Sequence, residues 1–214
     1  MTPTRTRHDA DEATPRPRIE GEREQEVFAA TLAVLADVGY DRLTMDAVAT
    51  AAKASKATLY RRWEGKGDLV VDALVHHKGQ QPPAPDTGCL RTDLVAAFCG
   101  LGGTLTTEQM SIFASVVTAL HRDADLAREF RSRVIGPKVA ATRAIFERAR
   151  DRGEIAEDVD LDLLAPALPG IVLHRVLVLG DVPAPDLVER VIDQIVLPVA
   201  GHAPTAPHLE ETHP

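Results

Sequence analysis

Apolar residues recur every three or four positions along most of this 214-residue chain, and nowhere do they alternate with polar ones over a useful length. That periodicity predicts helices and no sheet. The first helix is expected over 19–38, with Val27, Thr31, Val34, Leu35 and Val38 on one face and Phe28 and Leu32 widening it. Gly39 follows, where helices commonly end in a left-handed residue. Thr44 is placed to cap a short helix over 45–52, with Asp46 in its first turn, and Ser55 to cap another over 56–62. Only Lys53-Ala54-Ser55 separate them, and two short helices joined so closely make a helix-turn-helix.

Further helices are expected over 66–79, 90–104, 107–121, 124–152, 160–179 and 185–197, which gives an all-α fold of about nine helices. The run "LPGIVLHRVLVLG" within 160–179 is apolar almost all round. Such a helix is covered on every side, here by its own core and by a second subunit. Pro166 and Pro169 are expected to kink it or delay its start. In the last helix Leu187, Val188, Val191, Ile192, Ile195 and Val196 form one stripe. Residues 1–18 and 201–214 lack apolar periodicity and are expected to be a disordered arm and tail. No repeat of 20–50 residues recurs.

Charge sharpens the picture at the helix-turn-helix. The whole chain carries −8, yet from Arg42 to Lys66 six cations face two acids, a local +4 that leaves −12 elsewhere. A basic island on an acidic body is an electrostatic footprint for nucleic acid. On a helical wheel of 55–63, Leu59 and Trp63, the only tryptophan, share one face. Ala57, Thr58 and Arg61 lie opposite, Tyr60 and Arg62 flank the two, and Lys56 sits in the first turn. Trp63 is therefore expected in the core and Tyr60 at the surface. Ala57 is small enough to let the helix enter a major groove about 12 Å wide, and Lys56 and Arg61 are long enough to reach bases or phosphates. Tyr60, Lys66 and the capping Thr44 are suited to phosphate oxygens.

These residues carry a resemblance. "TMDAVATAAKASKATLYRRWEGKGDLVVDAL" resembles the helix-turn-helix of TetR-family transcriptional regulators, with Thr44, Ser55, Thr58, Leu59, Tyr60, Arg62, Trp63 and Lys66 at the family's motif positions. The likeness is specific over about 19–75, and "RGEIAEDVDLDLL" is similar to one C-terminal subtype. The family usually has glycine where Lys53 stands, so either that lysine is held at positive φ or the turn differs in shape. The resemblance implies a homodimeric, cytoplasmic regulator, most often a repressor, that binds a pseudo-palindromic duplex and is released by a small effector. It implies a DNA-binding unit over 19–67 using Thr44, Ser55, Lys56, Ala57, Thr58, Tyr60, Arg61, Arg62 and Lys66. It implies an effector and dimer unit over 68–200. There Phe98, Leu101, Met110, Phe113, Val117 and His174 are the candidate pocket residues, fitting a largely apolar effector. Ile171, Arg175, Val188, Val191, Ile192, Ile195 and Val196 are the candidate dimer residues.

Other chemistry is sparse. "CGLGGTL" (99–105) lacks the strand before it and the Gly-Lys-Ser/Thr after it that a phosphate loop needs. His76 and His77 point about 100° apart on a helix and do not chelate one ion. "HRD" (121–123) has no kinase motifs with it, and the acids at 157–162 suit a helix N-terminus. No cofactor or metal is expected, and no apolar run is long enough to cross a membrane. Cys89 and Cys99 are expected to be reduced thiols. Two other classes compete: a helical adaptor that binds protein only, and an enzyme, for which no converging acid, base or nucleophile is found.

Overall fold

The computed structural model describes residues 21–79, 83–99, 107–182 and 185–201. The expected arm, Leu101 and all of the expected tail except Gly201 lie outside them. Among the described residues there are only helices: α1 (Glu22–Arg42), α2 (Met45–Ala51), α3 (Lys56–Arg62), α4 (Lys66–Lys78), α5 (Leu90–Cys99), α6 (Thr107–Ala119), α7 (Ala124–Phe130), α8 (Gly136–Asp151), α9 (Leu161–Leu177), α10 (Pro185–Val191) and α11 (Leu197–Gly201). Two π turns, Arg131–Ile135 and Ile192–Val196, join α7 to α8 and α10 to α11, leaving nine rods.

Local chemistry sets many of the boundaries. The Thr44 side chain accepts the Ala47 N–H at 3.1 Å, and Ser55 accepts that of Thr58 at 3.1 Å. Each satisfies a donor that the first turn of a helix leaves unpaired. Asp160 does the same for Asp162 and Leu163, at 2.8 and 3.4 Å, so α9 starts at Leu161 and runs through Pro166 and Pro169 with no delay. In α1 the backbone breaks at Gly39, φ 74°. A side chain there would be strained by the dihedral, and its Cβ would lie 3.3 Å from Ser115 Oγ.

Two hydrophobic clusters form the interior. The first joins α1–α4 to α6, α7 and the first π turn through Leu35, Leu59, Trp63, Val116, Phe130 and Val134. The second joins α5, α8, α9 and the last rod through Leu94, Phe146, Leu168, Ile192 and Val196. α4 is the keel of the first: Leu69, Val70, Val71 and Ala73 are all buried, between α1 on one side and α7 and the π turn on the other. The expected boundary at 67/68 therefore falls inside one core, and the helix-turn-helix shares its interior with α6 and α7.

The π turns have a common local cause. Each ends on a bond from an N–H to the carbonyl five residues back, Gly136 to Arg131 and Leu197 to Ile192, and each is followed at once by a proline, Pro137 or Pro198. Proline lacks the N–H, and its ring crowds the carbonyl four residues back, so the helix widens just ahead of it. At the first turn a Cβ on residue 136 would lie 3.2 Å from the Arg131 oxygen, which favours the glycine found there.

The second π turn corrects the expected interface stripe. In an uninterrupted helix Ile195 would follow Val191 inward; the wider turn puts Val196 there instead. Val191, Ile192 and Val196 are buried in the protomer's own core, and Val188 and Ile171 pack against it. Of the stripe, only Ile195 faces out, joined by Val199. In the single chain the end of α9 also leaves apolar residues uncovered among the described residues. Leu177, Val178, Leu179 and Val182 stand exposed at and beyond its end.

Candidate nucleic-acid interface

The α2–α3 turn is built around a strained residue. Lys53 has φ 50°, the only positive φ at a non-glycine among the described residues. A left-handed non-glycine costs about 1–2 kcal/mol. The turn is held by the Ala54 N–H on the Ala49 carbonyl (2.8 Å), and the Lys53 carbonyl accepts from the Arg23 guanidinium (2.6 Å). Of the two alternatives for Lys53, the structure has the strained one.

α3 divides as the wheel predicts. Leu59 and Trp63 are buried, and Trp63 meets Phe28 edge to face at 5.8 Å. Ser55, Lys56, Ala57, Tyr60, Arg61 and Arg62 are exposed, Tyr60 by 56%, and Thr58 is half-buried against the Ser55 cap. Thr44 is exposed at the start of α2. Lys56 pairs with Asp46 across the turn, and Arg62 pairs with Glu24 at 3.3 Å while its guanidinium lies 5.4 Å from the Trp63 ring centroid. Arg61 and the Lys53 side chain make no hydrogen bond or ion pair among the described residues.

Lys66 departs from its expected role. Its ammonium donates to the carbonyls of Tyr40 (2.9 Å), Asp41 (3.2 Å) and Leu43 (3.2 Å), and it lies 4.5 Å from the Tyr40 ring centroid. All three ammonium hydrogens are engaged there. The reason is the break at Gly39, which leaves carbonyls at the end of α1 in need of a cation. Tyr40 completes this joint: its N–H donates to Ser115 Oγ at 2.7 Å and its hydroxyl to Asp123 at 2.8 Å. Burial, and then the Asp123 carboxylate, push the phenol above its ordinary value. The Leu126 N–H, ahead of the phenol, holds Asp123 below the usual carboxylate range.

The expected pocket residues are spread over α5, α6 and α9, with Met110, Phe113 and Val117 at helical spacing on α6. Phe98 packs on the second cluster. Phe113 packs on the first, with its ring 6.2 Å from that of Phe130. Met110 is buried and Val117 half-buried on α6. His174 is exposed, contrary to expectation, because no element among the described residues covers that side of α9. A shallow cavity of about 240 Å³ is instead lined by Arg175, Asp181, Val182, Asp186, Leu187 and Arg190, with Arg175 and Asp181 ion-paired at 2.5 Å. Among the described residues no group of three or more His, Cys, Asp or Glu is placed to hold a metal. Cys89 and Cys99 are free thiols.

Comparison with known proteins agrees with this geometry. Residues 27–73 match the domain described as "Bacterial regulatory proteins, tetR family", and residues 84–195 match "Tetracyclin repressor-like, C-terminal domain". An HTH-type transcriptional regulator of Mycobacterium tuberculosis strain H37Rv is 37% identical over 179 residues, 82% of this chain and 87% of that protein. The chain belongs to the TetR family. The DNA-binding transcriptional repressor TetR of Mycobacteroides abscessus is 34% identical over 176 residues, 82% of this chain and 92% of that one. The crystal structure of the TetR family transcription regulator SCO0332 has 28% identity and a TM-score of 0.57, covering 86% of this chain and all of that one. This TetR-family chain is a ligand-responsive, DNA-binding transcriptional regulator and not an enzyme. No helix among its described residues is long and apolar enough to cross a membrane.

Two side chains that join α3, α4 and the first π turn were not singled out in the sequence. Asp72 accepts the Trp63 Nε1–H at 2.7 Å, and Arg133 in the first π turn donates to the other oxygen of the same carboxylate at 2.5 Å. The pair is 61 residues apart, and no local pattern joins the two.

Proposed function

We propose that the protein is a cytoplasmic homodimeric repressor that holds a pseudo-palindromic operator and is released by a small, largely apolar effector. In this reading residues 19–67 read DNA, and residues 68–200 carry the effector and dimer functions. The observation that carries it is the division of α3, with Leu59 and Trp63 buried and Lys56, Ala57, Tyr60 and Arg61 turned outward. Arg61 and Lys53 are ready for bases or phosphates. Lys56 reaches DNA by exchanging Asp46 for it. Thr44, Ser55, Thr58, Tyr60 and Arg62 fix the helix on the backbone. Lys66 serves by holding α1 to α4, not by touching phosphate. Two copies of α3 would enter successive major grooves about 34–36 Å apart.

Dimer formation is supported by the uncovered apolar face. Val178 and Val182 are 70% and 80% exposed, and Ile195 43%, with Leu177, Leu179 and Val199 beside them. Surfaces of this kind are ordinarily covered by a partner. We assign the interface to these residues, with Ile171, Arg175 and Val188 at its margin. The effector site is assigned to the region between the two clusters, bordered by Phe98, Met110, Phe113 and Val117.

Selection of bound sequences from a random duplex library tests the reading. The expected result is an inverted repeat whose affinity falls steeply with salt. Failure to enrich any sequence, in a protein that still dimerises, would favour the adaptor class.

A further inference from the structure

The shared core of the helix-turn-helix and the C-terminal helices is crossed by one polar connection that runs from α3 through α4 to the π turn. α3 packs mainly on α2, and at its C-terminal end Trp63 meets α4 through Asp72. The indole Nε1–H donates to Asp72 Oδ2 at 2.7 Å, and Arg133 donates to Oδ1 at 2.5 Å. Both oxygens of one carboxylate are thus used, one by the end of α3 and one by the first π turn. The Asp72 side chain is only 10% exposed. A carboxylate so placed depends on both partners, because water does not replace either fully. Arg133 is more exposed and has weaker links to Asp68 (3.8 Å) and Glu129 (4.0 Å). It sits on a turn whose geometry is set by Gly136 and Pro137 and whose Val134 is buried in the first cluster.

We propose that Asp72 and Arg133 are positioning residues for DNA recognition: the chain Trp63–Asp72–Arg133 ties the angle of α3 to the π turn between α7 and α8. The inference rests on the reading of α3 as the DNA-contacting helix. Neither residue touches DNA in this scheme. Each acts through Trp63, whose ring is locked between Phe28 and the Asp72 carboxylate. A shift of the α7–α8 rod moves Arg133, Arg133 moves the carboxylate, and the indole follows with the end of α3. The connection also means that movement in the C-terminal helices reaches α3 without passing through its exposed face.

The test uses the full-length dimer and the tightest duplex from library selection, with a random duplex as control. Binding is measured across a salt series for the parent, Asp72→Asn, Arg133→Gln, the double variant, Arg133→Lys and Arg128→Gln. The last removes an equal charge from the same rod without touching Asp72. Asp72→Asn and Arg133→Gln should each weaken duplex binding about tenfold, the size of an ordinary coupling between sites. The double variant should lose about the same tenfold and not a hundredfold, since both singles break one connection. The salt slope should be unchanged, because no phosphate contact is lost. Arg133→Lys should recover most of the binding, and Arg128→Gln should match the parent. Emission from the only tryptophan reports the joint directly and should change in Arg133→Gln without DNA. Arg133 is partly exposed, so that variant keeps the test decisive should Asp72→Asn fold poorly. Parent-like binding and emission in Arg133→Gln would overturn the proposal, as would additive losses. A salt slope lowered by about one would overturn it too, by making Arg133 a phosphate contact. A parent chain that selects no duplex would remove the DNA-binding reading itself, and the tie with it. Parent binding with unaffected variants removes the tie alone.

Discussion

Helix α3 and the last rod, α10 through α11, are both short amphipathic elements, and they treat their apolar residues differently. α3 rests on one surface. Leu59 and Trp63 go inward four residues apart, and everything opposite them is small, polar or cationic. The last rod has two apolar faces. Leu187, Val191, Ile192, Val196 and Ala200 go inward, while Ile195 and Val199 stay outside. In α3 the outward face carries charge, and no ion pair engages Arg61 among the described residues, which suits an anionic partner. In the rod the outward face carries hydrocarbon, which suits a second apolar surface. The contrast separates two kinds of binding by the chemistry of what is left uncovered.

The sharpest way to break the α3 half of this comparison is Trp63→Ala. Loss of a buried large aromatic is expected to cost ~3–5 kcal/mol, and the bond to Asp72 goes with it. Tyr60→Phe should leave the urea midpoint unchanged and weaken duplex binding. Comparable stability losses in the two variants would erase the distinction between the inner and outer sides of α3.

The last rod offers the matching pair. Ile192→Ala should destabilise the protomer by ~2–5 kcal/mol, whereas Ile195→Ala should leave the protomer core intact and weaken the dimer. Joint replacement Val178→Glu and Ile195→Glu should yield a folded monomer in sedimentation. A dimer that survives it would place the interface elsewhere and leave the apolar outer face unexplained.

Smaller effects sharpen the charged face. Arg61→Ala should either relax preference at one operator position by about 1–3 kcal/mol or lower the salt slope by about one, according to whether it reads a base or a phosphate. Lys53→Gly should pull stability and binding in opposite directions. It relieves a left-handed residue, a gain of up to ~1–2 kcal/mol in thermal denaturation. It also removes a cation from the interface, so duplex affinity should fall. No gain in stability would show that the turn tolerates lysine without strain.

What the sequence determined by itself was whatever depended on near neighbours. The limits of α2 and α3 follow from Thr44 and Ser55, each bonded to an N–H three residues on. The sides of α3 follow from a regular 100° step over two turns, and the break at Gly39 from one residue that bears a positive φ cheaply. Only the tertiary structure decided the rest, because those contacts join residues far apart in the chain. Lys66 finds the end of α1 across 23–26 residues, and Arg133 finds Asp72 across 61. A cation in an amphipathic pattern reads the same whether it will face solvent, a phosphate or a row of carbonyls. The facing of the last rod was lost for a different reason. One π turn ahead of Pro198 changes the step between residues, and there a uniform wheel turns Ile195 inward when the folded chain turns it out. The exposure of His174 was lost for a third reason: hydrophobicity around a residue marks it for burial but does not name the surface that buries it.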